Sequence, residues 1–195
     1  MNVFDGTAFI YDIALAPLEL AGLARLRRGL ISEARGAVLE IGAGTGRNFP
    51  HYAQGARVFA LDESAEMLTT ARKRPCRVCA TVTRGDAQTL PFASRAFDTV
   101  VGTLVLCSIP DPARALSEIR RVLQPGGKLL LLEHTRGHHP VAALLTDVLN
   151  PAWFALNGSC HLNRQTARTV VEAGFNLSRV ERHAGGIVQV IRATA

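Results

Sequence analysis

Short apolar runs that alternate with helical patterns constrain this chain more than any other feature of its sequence. The apolar runs cover residues 37–41, 58–61, 77–83, 97–102 and 128–133. Helical patterns cover residues 8–33, 64–74 and 111–123. Short runs with little polar alternation are typical of strands buried on both faces of a parallel sheet. Strands and helices in alternation therefore predict βαβ units with right-handed crossovers.

The end of the chain has a different pattern. A helical segment at residues 163–174 ends at a glycine, and two further strands follow at residues 175–181 and 187–192. The short turn around Gly185 and Gly186 allows only an antiparallel hairpin. We therefore predict an α/β fold with helices on both faces of a mostly parallel, seven-stranded sheet, closed by a C-terminal antiparallel hairpin.

Composition limits the partners of this fold. The chain has 195 residues and a formal net charge of +6, which suits one domain with a real core. Its basic residues are scattered and only 6% of its residues are aromatic, so the sequence predicts no nucleic-acid partner. The pattern sets no oligomeric state.

Cysteine spacing and the N-terminus bear on location. Cys76 and Cys79 form a C-x-x-C, but no second pair follows at zinc-finger spacing, so no metal site is predicted and the cysteines are expected to be reduced. Asn2 and Asp5 stand where a signal peptide would be basic and then apolar. No apolar stretch is long enough to span a bilayer. These features predict a cytoplasmic protein.

Three glycines follow the first predicted strand, at residues 42–46, with Glu40 two places before them. Glycines after a strand allow a tight turn and the close approach of a ligand to bare backbone. The dinucleotide fingerprint would need a glycine at position 47, which is Arg47. Taken alone, the loop is equally compatible with a purely structural strand-to-helix turn.

Carboxylates at neighbouring strand ends favour a nucleoside ligand. Asp62 ends the second strand, where a carboxylate can accept both ribose hydroxyls. Asp86 follows the third strand, within reach of an adenine amino group, and residues 90–92 are placed to wall that ring. Open α/β sheets bind ligands at the carboxyl ends of such strands.

Five segments in register carry a resemblance to a known family. They are VLEIGAGTG, LDESAEML, GDAQTLPF, FDTVVGTLVLCSIPD and RRVLQPGGKLLLLEH, within residues 37–134. In order and spacing they resemble class I S-adenosylmethionine (AdoMet) methyltransferases. The resemblance implies the Rossmann-like fold of that class, AdoMet as cofactor, S-adenosyl-L-homocysteine as product and methyl transfer as activity.

The same resemblance implies which residues bind the cofactor. They are Tyr11, Glu40, Gly42, Ala43, Gly44, Gly46, Asp62, Glu63, Met67, Asp86, Ala87 and Leu104. The glycine loop would pack on the methionine and ribose, and Glu40 would anchor the methionine ammonium through water or backbone. Asp62 would hold the ribose, Asp86 the adenine amino group, and Leu104 the methionine end. Met67 would touch the adenine and Tyr11 would close over the cofactor, although each is equally explained by packing.

Downstream segments resemble a narrower group, the thiol S-methyltransferases of animals and their bacterial relatives. The shared features are Leu106-Cys107, Glu133-His134, residues 151–153 and the run from Gly158 to Arg164. Two departures stand out: the animal members begin with a membrane segment, and Asp147 replaces an expected amide. The resemblance implies a small apolar acceptor such as a thiol. Physical reasoning favours the same acceptor, because a thiol needs only modest help from a base.

Three residues are candidate catalytic bases: His134, Asp147 and His161. His134 follows the fifth strand at the carboxyl edge of the sheet, where a neutral histidine can accept a proton near physiological pH. A histidine that merely fixes a turn explains it as well. The apolar segment around residues 141–156 is a lid over the acceptor, a core helix packed on the sheet, or both on different faces.

The sequence divides into four parts of one methyltransferase domain, residues 1–195. These are an N-terminal helical cap (1–35), an AdoMet-binding core (36–134), a substrate-side insertion or lid (135–162) and a C-terminal helix with its hairpin (163–195). Two alternatives stay open. One is methylation of a phospholipid amine or quinone precursor, with the basic cluster at residues 25–28 touching an anionic membrane. The other is a non-catalytic AdoMet-binding protein.

Overall fold

A computed structural model describes the backbone of residues 8–76, 78 and 80–195, with side chains described from residue 12 onward within that range. The α-helices are α1 (Ala8–Leu18), α2 (Ala24–Ile31), α3 (Ala65–Arg72), α4 (Pro112–Val122), α5 (Pro140–Asn157) and α6 (Thr166–Glu172). The strands are β1 (Ala37–Ile41), β2 (Arg57–Asp62), β3 (Ala80–Arg84), β4 (Phe97–Thr103), β5 (Leu123–His134), β6 (Asn176–His183) and β7 (Val188–Thr194).

These strands form one seven-stranded sheet in the order β3-β2-β1-β4-β5-β7-β6. The first five are parallel, and β7 runs antiparallel between β5 and β6. Ile41 is level with Leu61 on one side and with Gly102 on the other, so the carboxyl ends of β2, β1 and β4 meet at one edge. The predicted Rossmann-like fold and its closing hairpin are confirmed.

The central parallel strands are largely apolar because both faces of the sheet are covered there. Neighbouring residues of one strand enter opposite cores, as strand geometry requires. In β1, Leu39 packs into the core that contains Leu116 and Ile119 of α4, while Val38 packs into the core that contains Leu30 of α2. A strand with no polar alternation is therefore buried between two helical layers.

The predicted N-terminal helix over residues 8–33 is interrupted. A π-helical turn, Glu19–Leu23, separates α1 from α2, and Gly22 within it has a φ of 124°. Only glycine adopts such a backbone conformation readily, which explains the break. The predicted starts of α3 and α4 are correct, because Ser64 and Asp111 cap them by accepting hydrogen bonds from the Met67 and Arg114 amides.

The long helix α5 lies on the surface rather than in the core. Ala143 and Thr146 are its buried residues, while several large apolar side chains on it are exposed. One face of this segment is therefore buried while the rest is exposed, and its role as a lid stays a prediction. No helix within the described part of the chain is both long and apolar enough to cross a membrane.

Candidate active site

The glycine loop after β1 adopts a backbone that side chains would disrupt. Gly42, Gly44 and Gly46 have φ values of 60°, 52° and 76°. A Cβ on Gly42 would lie 2.2 Å from Cγ2 of Val105, so that position must stay bare for packing. A Cβ on Gly44 would meet no atom within 4 Å, so the bare face of Gly44 opens onto free space. The loop therefore leaves room for a ligand at Gly44.

Asp62 lies beside this opening at the end of β2. Its Oδ2 accepts a hydrogen bond from the Gly44 amide at 2.8 Å, and its Oδ1 accepts one from the Ser64 amide at 2.9 Å. Burial raises the pKa of Asp62, and the two amides oppose that rise. A carboxylate has about four acceptor sites, so Asp62 holds the loop and keeps acceptor capacity for a further partner.

Glu40 lies behind the loop, almost completely buried. Its Oε1 accepts from Nδ2 of Asn48 at 2.8 Å and its Oε2 accepts from the hydroxyl of Tyr52 at 2.7 Å. Burial raises the pKa of Glu40 to about 7, against the opposing hydrogen bonds. Asn48 lines the cleft beside the loop, so Glu40 can act on a ligand there through Asn48.

Arg27 of α2 brings a positive charge into that cleft, and sequence reasoning missed it. Its guanidinium donates from Nη1 to Oδ1 of Asn48 at 2.8 Å and to Oγ1 of Thr103 at 2.9 Å, and it pairs with Glu19. The side chain is 3% exposed. The interpretation of residues 25–28 as one membrane-facing basic cluster is therefore wrong for Arg27, while Arg25 and Arg28 are exposed.

A second cluster that the sequence did not indicate fastens α1 to the glycine loop. Oδ1 of Asp12 accepts from Oγ1 of Thr45 and from Nε of Arg47, both at 2.8 Å, and Oδ2 accepts from Nη2 of Arg74 at 2.7 Å. Burial works to raise the pKa of Asp12, but these hydrogen bonds lower it overall. The side chain of the neighbouring Tyr11 lies outside the described residues.

The predicted adenine side contains a pair of carboxylates. Asp86 accepts hydrogen bonds from the amide of Gln88 at 2.7 Å and from its Nε2. Burial raises the pKa of Glu63, and the adjacent charge of Asp86 raises it further. Met67 and Ala87, two further predicted cofactor contacts, are buried. In the sequence, Met67 lies four residues after Glu63 and Ala87 directly follows Asp86.

One residue of the predicted adenine wall also packs on the core. The ring of Phe92 packs edge-on against Phe97, with centroids 5.0 Å apart, and against Phe59. These three rings pack edge-on against one another, so packing explains the position of Phe92.

Leu104 begins the turn after β4 in a left-handed conformation, with a φ of 54°. Its amide donates to the carbonyl oxygen of Leu132 at 2.7 Å. A residue other than glycine in this region costs about 1–3 kcal/mol, and such strain is concentrated at functional sites. The contact of Leu104 with the methionine end stays a prediction.

Glu133 holds the rest of that turn. Its buried carboxylate accepts from the amides of Val105 and Leu106 at 3.0 and 2.9 Å and from the amide of Cys107 at 3.3 Å. Burial raises the pKa of Glu133, while the amides oppose the rise. This contact fixes Cys107 beside the end of β5.

His134 lies at that end, in contact with two cysteines. Its Nε2 is 2.6 Å from Sγ of Cys160, and one ligand atom of each of His134, Cys107 and Cys160 lies within 4.8 Å of the others. The hydrogen bond with Cys107 and burial raise the pKa of Cys160. Burial works to lower the pKa of His134, but Cys160 and Glu133 raise it overall.

Cys160 reaches this position because the loop after α5 is tied to the turn after β4. The Cys160 amide donates to Oδ1 of Asn157 at 2.6 Å, and the His161 amide donates to the carbonyl oxygen of Cys107 at 2.9 Å. Nη1 of Arg164 donates to the carbonyl oxygens of Leu106 and Ile109. Three distant segments thereby meet at one point.

The other two predicted bases are placed differently. The ring of His161 stacks on Phe154, with centroids 4.7 Å apart, and burial together with Arg164 lowers its pKa. Both carboxylate oxygens of Asp147 accept from Arg136, at 2.7 to 3.0 Å, and this partner lowers the pKa of Asp147. His161 therefore joins the histidine–cysteine region, while Asp147 is engaged in a surface ion pair.

Comparisons with known proteins agree with this geometry. A family model described as a methyltransferase domain matches residues 39–131. Thiol S-methyltransferase TMT1B of Homo sapiens is 34% identical over 182 residues, which cover 86% of this chain and 75% of that protein. The chain spans 62% of the length of the Rattus norvegicus protein of the same name.

A bacterial relative and a solved structure extend the comparison. Phosphatidylethanolamine N-methyltransferase of Cereibacter sphaeroides is 34% identical over 141 residues, which cover 69% of this chain and 68% of that protein. A Haloferax volcanii methyltransferase, solved in complex with a methyltransferase activator, has the same fold, with a TM-score of 0.78 at 20% identity over 98% of this chain and 97% of that one. From its fold, its glycine loop and these relatives, the chain belongs to the S-adenosylmethionine-dependent methyltransferase family.

Proposed function

We propose that this protein binds AdoMet at the glycine loop and transfers its methyl group to the thiol of a small apolar acceptor. One observation carries the proposal: the bare face of Gly44 opens onto free space while its amide is held by the Asp62 carboxylate. The groups around that opening support the proposal: the half-buried Asp62 for the ribose, the Glu63 and Asp86 carboxylates for the adenine, and the buried Arg27 for the methionine.

Each residue has a distinct task in this proposal. Asp62 accepts hydrogen bonds from the ribose hydroxyls, and Asp86 accepts one from the adenine amino group. Arg27 supplies a nearby positive charge for the methionine carboxylate, while its Nε, Nη1 and Nη2 atoms also donate to Glu19, Asn48 and Thr103. Leu104 presents its backbone to the methionine end. Bound AdoMet supplies an activated methyl group, so the protein has to align an acceptor and exclude water.

The acceptor site lies beside β4 and β5 in this proposal. His134 ends β5 and α5 follows it, and exposed apolar side chains of α5 such as Leu149 and Trp153 are available to cover an acceptor. A thiol suits this side, because a few per cent of an ordinary thiol is ionised at neutral pH. The similarity to thiol S-methyltransferases supports that choice.

The test is a screen with AdoMet that carries a labelled methyl group. Thiols, amines, phenols and lipids are offered separately, and AdoMet binding is measured in parallel by calorimetry. We expect AdoMet to bind and label to accumulate on apolar thiols. Binding without transfer to any acceptor class would favour the non-catalytic alternative.

A phospholipid amine is a second candidate acceptor, favoured by the exposed apolar side chains of α5. Val148 and Leu156 are 65% and 85% exposed, and an apolar helix face of this kind can lie in a membrane interface. Co-sedimentation with anionic vesicles, together with label on the extracted lipid, would support this candidate. The cytoplasmic location stays a prediction from the sequence.

A further inference from the structure

We propose that Cys107, His134 and Cys160 form a binding site for Zn²⁺, and that the metal takes the acceptor thiol as its fourth ligand. The metal-binding part stands on its own, while the role of the fourth ligand rests on the proposed function. The metal would select acceptors that carry sulfur. It would also explain how an acceptor thiol is ionised in a buried region whose own groups are weak bases.

The geometry of the cluster fits a cation with nitrogen and sulfur ligands. Its ligand atoms lie within 4.8 Å of one another, and the chain contributes them from the turn after β4, the end of β5 and the loop after α5. Zinc bonds of about 2.0 Å to nitrogen and 2.3 Å to sulfur would place these two ligand atoms roughly 3.6 Å apart. The His134 and Cys160 side chains, now 2.6 Å apart, would separate by roughly 1 Å to admit the ion.

The ligand set also determines what the metal does. Two cysteines and one histidine leave a fourth tetrahedral position open, as in catalytic zinc sites. The Nδ1 atom of His134 is buried and has no hydrogen-bond partner within the described residues. Coordination through Nε2 would place the ring proton on Nδ1. On binding, each cysteine releases its thiol proton to solvent.

The surrounding residues hold the ligands in place before any metal arrives. Glu133 accepts from the Cys107 amide, Asn157 accepts from the Cys160 amide, and the His161 amide donates to the Cys107 carbonyl oxygen. Such outer contacts orient metal ligands in proteins. The site lies three residues beyond Leu104, next to the predicted methionine end.

At this site the acceptor thiol would lose its proton to solvent and bind as a thiolate. The thiolate sulfur then forms a bond to the methyl carbon. The carbon–sulfur bond of the sulfonium breaks, and its electron pair stays on the sulfur of S-adenosylhomocysteine. The products are a thioether and that neutral sulfide, so charge and atoms balance without any oxidant.

The test uses the full chain, purified without metal and titrated with Co²⁺ as a spectroscopic probe for Zn²⁺. We expect one ion per chain, with a thiolate-to-cobalt charge-transfer band and the intense visible bands of tetrahedral Co²⁺. Adding 2-mercaptoethanol should shift those bands as it takes the fourth position. Zn²⁺ should displace Co²⁺ and protect Cys107 and Cys160 of the wild-type chain from alkylation, measured by mass spectrometry.

Matched cysteine variants separate this site from the rest of the chain. The double variant Cys76→Ser/Cys79→Ser should keep the spectrum, while Cys107→Ser and Cys160→Ser should lose it with AdoMet affinity unchanged. A featureless spectrum with unprotected cysteines in the wild-type chain would overturn the metal site. So would a Cys107–Cys160 disulfide formed in place of metal binding. If metal binds but no acceptor is methylated, the proposed function fails and the metal site stands.

Discussion

The two halves of the sheet edge hold their polar groups in different ways. Where β1 and β2 end, Asp62 is held by backbone amides of the adjacent loops, Gly44 and Ser64. Where β4 and β5 end, the side chains of His134 and Cys160 meet from segments 26 residues apart. The first half, where β1 and β2 end, is preformed by local backbone and is called the preformed half. The second, where β4 and β5 end, depends on how α5 and its following loop pack and is called the assembled half.

Under the proposed function, this difference would separate cofactor binding from acceptor choice. Substitutions in the preformed half should change AdoMet affinity with little effect on which acceptor reacts. Substitutions in the assembled half should change the acceptor KM and leave AdoMet affinity as it is. A single scaffold can therefore serve acceptors as different as thiols and lipid amines, because chemistry on such a fold resides in the variable segments.

The largest effect is expected from Gly44→Val, which strikes the preformed half directly. A branched side chain would fill the open space at Gly44 and would be strained at a φ of 52°. We expect at least a hundredfold loss of AdoMet affinity, from clash and strain of about 3 kcal/mol together. Calorimetry with S-adenosylhomocysteine measures it.

Gly55→Val is the matched control for that loss. Gly55 also has a positive φ, 87°, and open space around it, but it lies in the turn before β2. It should cost stability and leave AdoMet affinity unchanged. Equal losses of affinity in the two variants would mean that strain, not ligand space, explains Gly44.

A pH-dependent effect on stability is expected from Glu40, the buried acid of the same half. Its pKa is raised from 4.5 to about 7 in the folded protein. The folded state then holds the proton more tightly, so the free energy of unfolding falls as pH rises from 4.5 to 7 and levels above it. Relative to Glu40→Gln, the wild-type protein should lose about 3 kcal/mol across that window.

Urea unfolding of both proteins at pH 4.5, 6 and 8 checks the slope. Glu118→Gln is a control of opposite sign, because Arg121 lowers the pKa of Glu118. The contribution of the Glu118 carboxylate to the free energy of unfolding is present at higher pH and is lost on acidification. A wild-type stability that rises from pH 4.5 to 7 relative to Glu40→Gln would contradict the buried acid.

The two halves also differ in how much the sequence reveals. The glycine loop and Asp62 were predictable, because parallel strands bring their carboxyl ends to one edge and local order then fixes the neighbours. The position of Arg27 in the cleft was not predictable, because the helical pattern of apolar residues does not show which charged residue is buried. Cys160 was hidden too, because its contact with His134 depends on the path of the loop after α5. Long-range packing of that kind leaves no periodic signal.

An intermediate effect is expected from Asp62→Ala, which tests the role of this acid for a ligand. Losing paired hydrogen bonds to a ribose should weaken AdoMet binding by about 1–3 kcal/mol, or roughly five- to a hundredfold. Asp98→Ala is the matched control, since Oδ2 of Asp98 also accepts a backbone amide, from Ala37 at 2.8 Å. Calorimetry should show weakened binding only for Asp62→Ala, and unchanged affinity would remove Asp62 from the site.

A smaller effect is expected from Phe154→Ala, in the assembled half. The variant removes the ring that stacks on His161, a contact worth about 0.5–1.5 kcal/mol. The acceptor KM should rise roughly two- to tenfold, and AdoMet affinity should stay the same. Leu156→Ala, at an exposed position of the same helix, should change neither quantity. A loss of AdoMet affinity in Phe154→Ala would contradict the separation of cofactor binding from acceptor choice.

The smallest effect is expected from Asp147→Asn, which tests whether Asp147 takes part in the reaction. Arg136 binds both carboxylate oxygens of Asp147 and lowers its pKa, so this acid stays ionised and paired at neutral pH. A base has to accept a proton near the working pH, and a carboxylate whose pKa is lowered does so poorly. Turnover and its pH profile should therefore match the wild-type protein, measured with the acceptor found in the screen. A turnover that falls without a change in acceptor KM would return Asp147 to the reaction, and would place chemistry on α5 rather than on the end of β5.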